Sequence, residues 1–237
     1  MNKNNILYAI IGIMSGLIIG FLFANSYMRS ELSSGQVSAA SSAMQSNSNM
    51  PAGHPDISGQ QQNAQISPDV QPAVDFAKAN PNDFEAQIKA AELLSQSEMY
   101  DVALEFLKTA NALKPDDYQT IVSLGNASFD SGNFAEAEKW YLAALGKKKD
   151  DNNVRTDLGL TFIFRDPPNY DRAIQEFNAV LATEPNHIQA LQNSIVAYLR
   201  QGDAAKAKEN LAKLEAVEPQ NVAIPRFKEQ LKKMGVS

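Results

Sequence analysis

After Asp69 the chain alternates between two kinds of stretch. Apolar residues recur every three or four positions over about fifteen residues, then a short polar break containing Pro, Gly, Asn or Asp interrupts them. Spacing of that kind puts the apolar side chains on one face of a helix. The pattern predicts helices near 82–96 and 99–113, 116–131 and 134–147, 150–165 and 170–183, and 186–201 and 204–216. A shorter amphipathic stretch precedes them over 69–80, and another follows over 221–234. No segment alternates with a strand's period of two, so the expected class is all-α.

The stretches repeat. Ala103, Ala137, Ala173 and Ala207 lie 34, 36 and 34 residues apart, and so do Pro115, Lys149, Pro185 and Pro219. The two extra residues in the middle interval fall in the turn from Arg165 to Tyr170, which holds Pro167 and Pro168. The units are therefore 82–115, 116–149, 150–185 and 186–219. Within them, small residues recur at Ala91, Gly125 and Gly159, where they let two helices approach closely. Large residues at Leu94, Tyr141, Phe162 and Phe177 fill the space between. Gly132 and Gly202 suit the turn inside a unit, because glycine accepts the left-handed conformation that ends a helix. Prolines at the unit ends stop the second helix.

This 34-residue helix–turn–helix period resembles the tetratricopeptide repeat (TPR). The family pattern runs W-x2-L-G-x2-Y, then A-x3-F, then Pro. The second unit offers Ile121, Leu124, Gly125, Ser128, Ala137 and Tyr141, and the third offers Arg155, Leu158, Gly159, Phe162, Ala173, Phe177 and Pro185. The resemblance implies an all-α TPR solenoid over 69–237 that binds other proteins. Stacked repeats need end caps over their exposed apolar faces, and the segments 69–80 and 221–234 stand where those caps belong.

The same resemblance puts the second, fifth, ninth and twelfth positions of the family's repeat, counted from three residues before its tryptophan position, on the concave face. The candidate groove is then Val122, Asn126, Phe129, Thr156, Leu160, Ile163, Gln192, Val196 and Leu199. An apolar stripe with amides interleaved suits an extended peptide or a partner helix, although side chains at these places also serve as packing between helices. A basic clamp for acidic C-terminal tails requires Lys or Arg at Ile88, Val122 and Thr156. Only Asn126 matches it, so that partner class is disfavoured.

Before Asp69 the pattern changes twice. Residues 6–24 hold no charge, and about 20 apolar helical residues span a bilayer. The run is longer than the apolar core of a cleaved signal peptide, so residues 1–29 read as an uncleaved membrane anchor, a single transmembrane helix. Lys3 precedes it, while Arg29 follows and is offset by Glu31. The positive-inside rule favours a cytoplasmic N-terminus, with the repeats outside the cytoplasm, in the periplasm of a Gram-negative bacterium. Gly12, Gly16 and Gly20 are spaced four apart, a small-residue face suited to helix–helix contact and dimerisation, although glycine is common in membrane spans generally. Residues 30–68 are rich in Ser, Asn, Gln and Gly and too poor in apolar residues to fold. Such a linker reaches roughly 35 Å. It carries Met44, Met50 and His54, soft ligands a metal or haem chaperone would use, and the segment 51–55, a short docking motif or plain spacer.

Charge and chemistry narrow the reading further. The net charge is −6, without the basic stripe of a nucleic-acid binder. The runs Lys147 to Lys149 and Lys232 to Lys233 sit at predicted helix C-termini, where cations favour the dipole. There are no cysteines and only two histidines, His54 and His187. His187 reads as a solvated helix-start residue. No catalytic constellation, phosphate loop, metal-ligand spacing or cofactor signature stands out, so the chain reads as a non-enzyme.

The order of parts resembles the TPR lobes of bacterial cytochrome c maturation proteins of the CcmH/NrfG type. The likeness lies in the leading helix, Pro81-Asn82-Asp83, Asp157-Leu158-Gly159, the junction 184–190 (EPNHIQA) and Gly202-Asp203. It covers roughly 69–220 and implies an extracytoplasmic domain that holds apocytochrome or haem-lyase components. The two-helix membrane region of longer family members is missing, and a general scaffold for envelope or secretion assembly fits the same features. The glycine face gives a first test. Gly16→Ile should lower self-association in a membrane-embedded reporter assay several-fold, and unchanged association would remove that contact.

Overall fold

The computed structural model describes residues 66–236. The anchor (6–24), its glycine face and the linker ligands Met44, Met50 and His54 lie outside them. Among the described residues there are ten α-helices and no strands, and no helix is long and apolar enough to cross a membrane.

A leading helix α1 (Gln71–Ala79) is followed by four helix pairs and a last helix. The pairs are α2 (Phe84–Gln96) with α3 (Tyr100–Leu113), α4 (Tyr118–Asp130) with α5 (Phe134–Lys147), α6 (Asn152–Phe164) with α7 (Tyr170–Thr183), and α8 (Ile188–Gln201) with α9 (Ala204–Val217). The last helix is α10 (Ile224–Lys233). Each helix packs on its chain neighbours, and the first helices of units three and four also touch. This is the nearest-neighbour stacking of a repeat array.

The first helix of each unit starts two residues later than the hydrophobic pattern predicts. Turns at Pro81-Asn82, Asp116, Asp150 and Asn186 occupy the difference, and the next polar residue caps the helix. Asp83 accepts from the Ala86 N–H at 3.1 Å and Asp151 from Val154 at 3.0 Å. In unit two Asp117 binds the Thr120 hydroxyl instead, at 3.0 Å. An acceptor at this position satisfies a donor that the helix leaves orphaned.

The turn inside each unit closes the same way. The N–H before the second helix donates to a carbonyl two or three residues before the end of the first helix: Met99 to Leu94, Asn133 to Ser128, Asn169 to Phe162 and Asp203 to Tyr198, at 2.8–2.9 Å. Unit three keeps this bond although Pro167 and Pro168 lengthen its turn, so the insertion loops out and the helix pair is unchanged. Gly132 and Gly202 take φ of +79° and +88°, as expected; in unit one Glu98 holds the corresponding place at +59°.

The close approach within a pair rests on size matching. A methyl added at Gly125 would lie 2.6 Å from Tyr141 Cε1, and one at Gly159 would lie 2.8 Å from Phe177 Cζ. Units one and four place Leu107 and Leu211 where those rings stand, and they carry Ala91 and Ile195 instead of glycine. Glycine thus goes with a ring and a larger residue with leucine. Tyr141, Phe177, Ala91 and Ile195 are all at most 2% exposed.

Buried polar side chains stitch the stack. Gln87 donates to the Ala77 and Asn80 carbonyls at 2.8 and 3.2 Å, satisfying the open C-terminus of α1. Glu176 accepts from Arg155 at 2.9 Å and from Arg172 at 3.0 Å. At the far end Ile224, Phe227 and Leu231 of α10 are buried against the last pair. Gly159→Ala should cost about 2 kcal/mol in urea unfolding, because the methyl overpacks the ring. Adding Phe177→Leu, the unit-one pairing, should recover about 1 kcal/mol of that loss.

Candidate partner-binding site

The concave candidates lie on the first helices α4, α6 and α8, and burial divides them. Val122, Phe129, Leu160, Gln192 and Leu199 are half-buried and Asn126 is exposed. Thr156, Ile163 and Val196 are buried, at 2%, 9% and 9% exposure. Thr156 turns its hydroxyl to the Asn152 carbonyl at 2.7 Å. These three fill the seams between helices and have little surface to offer a partner.

Three of the remaining residues have structural duties as well. Asn126 accepts a hydrogen bond from the Tyr141 hydroxyl at 3.0 Å, which satisfies the one polar atom of a ring that is otherwise core. Gln192 donates to Asn221 at 3.0 Å, tying unit four to the last turn. Phe129 meets Phe134 and Phe164 edge-on, with centroids 5.3 and 5.8 Å apart, a favourable ring geometry. Val122, Leu160 and Leu199 are left as half-exposed apolar surface.

Two acids stand on the same helices, and the hydrophobic pattern gave no reason to single them out. Asp130 lies one turn beyond Asn126 on α4, and Asp157 lies one turn before Leu160 on α6. Burial pushes the Asp157 carboxyl up to about 7, with the Asp130 and Asp151 charges adding to the shift. Loss of solvent around the Asp130 carboxyl raises it to about 6, although much of that residue's surface is open. Both charges also act on the Tyr141 hydroxyl, whose pKa burial already raises. Asp130, Asp157 and Tyr141 therefore share one electrostatic neighbourhood. Their only signal in the sequence was an acid one residue past a concave register (Phe129 and Thr156), which reads like any solvated acid.

His187 is not solvated: its side chain is 9% exposed. Its Nδ1 accepts from the Ala190 N–H at 3.2 Å, and its Nε2 faces Asn153 Oδ1 at 3.3 Å. It serves as a helix cap with the Nε2–H tautomer. Among the described residues no group of three or more His, Cys, Asp or Glu side chains is placed to hold a metal.

Folding raises the Asp157 pKa above its unfolded value of 3.8, so the folded state binds its proton more tightly. The stability gained this way is full below about pH 4 and is lost as pH rises through about 7. Asp157→Asn should flatten that slope in urea unfolding between pH 4.5 and pH 8, with the range chosen to bracket the transition. At the alkaline end it should stabilise the domain by about 1–2 kcal/mol, as expected when an unpaired, desolvated charge is removed.

Comparison with known proteins agrees with this architecture. A family model described as tetratricopeptide repeat matches residues 94–156 and 169–231, more than half of the chain. A crystal structure of the MamA protein is 22% identical, with 64% of this chain and 81% of that one covered and a TM-score of 0.57. MamA from Desulfovibrio magneticus RS-1, residue 41 to its end, is 17% identical, with 65% and 85% covered and a TM-score of 0.58. A tetratricopeptide repeat protein from Parabacteroides merdae is 21% identical, with 64% and 60% covered and a TM-score of 0.58. At these identities the likeness is one of fold. The matched repeats, the four helix pairs and their shared turn geometry lead to one conclusion: the chain belongs to the tetratricopeptide-repeat family.

Proposed function

We propose that this protein is a membrane-tethered scaffold that holds a partner protein on the inner face of its repeats, outside the cytoplasm. TPR domains bind protein partners, and proteins of this fold typically act as scaffolds without catalysis. The observation that carries the reading is the half-exposed apolar surface of Val122, Leu160 and Leu199 on successive first helices. Apolar side chains left open on successive helices of a packed scaffold mark a place where another chain docks.

The tether rests on the uncharged run 6–24 and the charge balance around it. Within this reading, a role in cytochrome c maturation draws its support from the junction motifs shared with that protein type, and Gly12, Gly16 and Gly20 provide a face for a second membrane helix.

Crosslinking followed by pull-down from membranes tests the groove. Val122→Glu with Leu160→Glu places charge on the apolar surface. It should reduce partner recovery at least tenfold while circular dichroism still reports a folded helical domain. Unchanged recovery would show that the partner binds elsewhere. Asn126 is unsuitable for this test, because its removal strands the Tyr141 hydroxyl.

A further inference from the structure

Six cations of units two and three are already engaged. Lys139 pairs with Glu136 at 2.9 Å, Lys147 with Asp116 at 2.6 Å and Arg165 with Glu138 at 3.2 Å. Arg155 and Arg172 both hold Glu176. Lys148 lies over the Tyr118 ring, 3.9 Å from its centroid. Against this background two acids stand out. Neither Asp130 nor Asp157 has an ion pair or a side-chain hydrogen bond, and Asp157 is half-buried.

A carboxylate that gives up water without gaining a cation or a donor costs stability. Two of them, within each other's electrostatic reach, make that cost larger. The packing role at this register falls to the neighbouring apolar residues, and Asn193 holds the same register as Asp157 one unit on without charge.

Asn193 supplies an independent observation. It is 5% exposed, and its Nδ2 is buried with no acceptor. It sits on α8, which packs beside α6. A donor without an acceptor and two carboxylates without a cation therefore stand on the first helices α4, α6 and α8, which also carry the open apolar side chains Val122, Leu160 and Leu199. An extended peptide carries the complement of the carboxylates and of the apolar side chains: a cationic side chain with apolar side chains on either side of it. The chain's net charge of −6 draws a cationic ligand toward the face at long range.

We propose that the inner face selects a peptide segment with a lysine or arginine flanked by apolar residues, and that Asp130 and Asp157 receive the cationic head group. This rests on the docking reading above and adds the chemistry of the partner. The cation would supply the charge-assisted hydrogen bonds that the two carboxylates lack within the fold.

The test uses the full chain in detergent micelles and an array of short peptides with randomised apolar flanks. The central residue is lysine, arginine, norleucine or glutamate. Lysine- and arginine-centred peptides should bind about tenfold or more tightly than their norleucine counterparts, the effect of one charge-assisted bond to a desolvated partner. In D130N/D157N, which keeps shape and removes both charges, that preference should vanish. A preference that survives in this variant, or equal binding of lysine and norleucine peptides, overturns the proposal. If Leu160→Glu weakens the norleucine series in that case, the apolar groove stands without its acidic site. If Leu160→Glu leaves every series unchanged, or if no peptide binds, the docking reading fails as well.

Discussion

Two helix backbones approach only as closely as the side chains between them permit, and in this protein that limit is set at one pair of positions per unit. Gly125 admits the Tyr141 ring and Gly159 admits the Phe177 ring, with no room for even a methyl group. Where the ring becomes Leu107 or Leu211, the small partner grows to Ala91 or Ile195. Volume is thus shared differently from unit to unit while each pair stays tightly packed, as close-packed interiors require. The recurring turn bond to Leu94, Ser128, Phe162 or Tyr198 holds each pair in nearly the same register. Stacking of the units, and with it a line of first helices, follows from this.

That stacking sorts the polar side chains into two groups. Some are consumed by the scaffold: Gln87 closes the leading helix, Glu176 binds two arginines, Asn210 donates to Ser194 at 2.8 Å, and Asn126 accepts from Tyr141. Others are partly or wholly withdrawn from water without a partner: Asp130 and Asp157 on the first helices, and buried atoms of Asn111, Ser128, Trp140 and Asn193. The first group explains how polar residues are tolerated in the core, since each finds its hydrogen bond. The second lowers stability with no structural return. For Asp130 and Asp157 the proposed docking face supplies a reason, because sites that wait for a ligand carry unsatisfied groups in its absence.

The sequence was most legible where its signal is periodic. The 34-residue spacing, the alanines early in each second helix and the glycines at turns give the helix pairs nearly residue by residue. The starts of the first helices came out two residues early, because Pro, Asn and Asp at the junctions fit both a turn and a first helical turn. Gln87 and Arg155 stand where the family pattern has tryptophan, and nothing in a single sequence reveals that each reaches a specific carbonyl or carboxylate. Thr156, Ile163 and Val196 share the concave register with Leu160 and Leu199, but burial depends on how far the neighbouring unit leans over each. Asp130 and Asp157 were illegible for a related reason: an acid on an amphipathic helix reads as solvated until the next unit's surface is known.

The central claim is that the inner face holds a desolvated acid with no internal partner, and titration of the Asp157 side-chain carboxyl carbon by NMR tests it most directly. The account predicts a midpoint near 7, falling toward the ordinary carboxylate range when a lysine-centred peptide is bound. A midpoint near 4 in the free protein, where solvated carboxylates titrate, would contradict it.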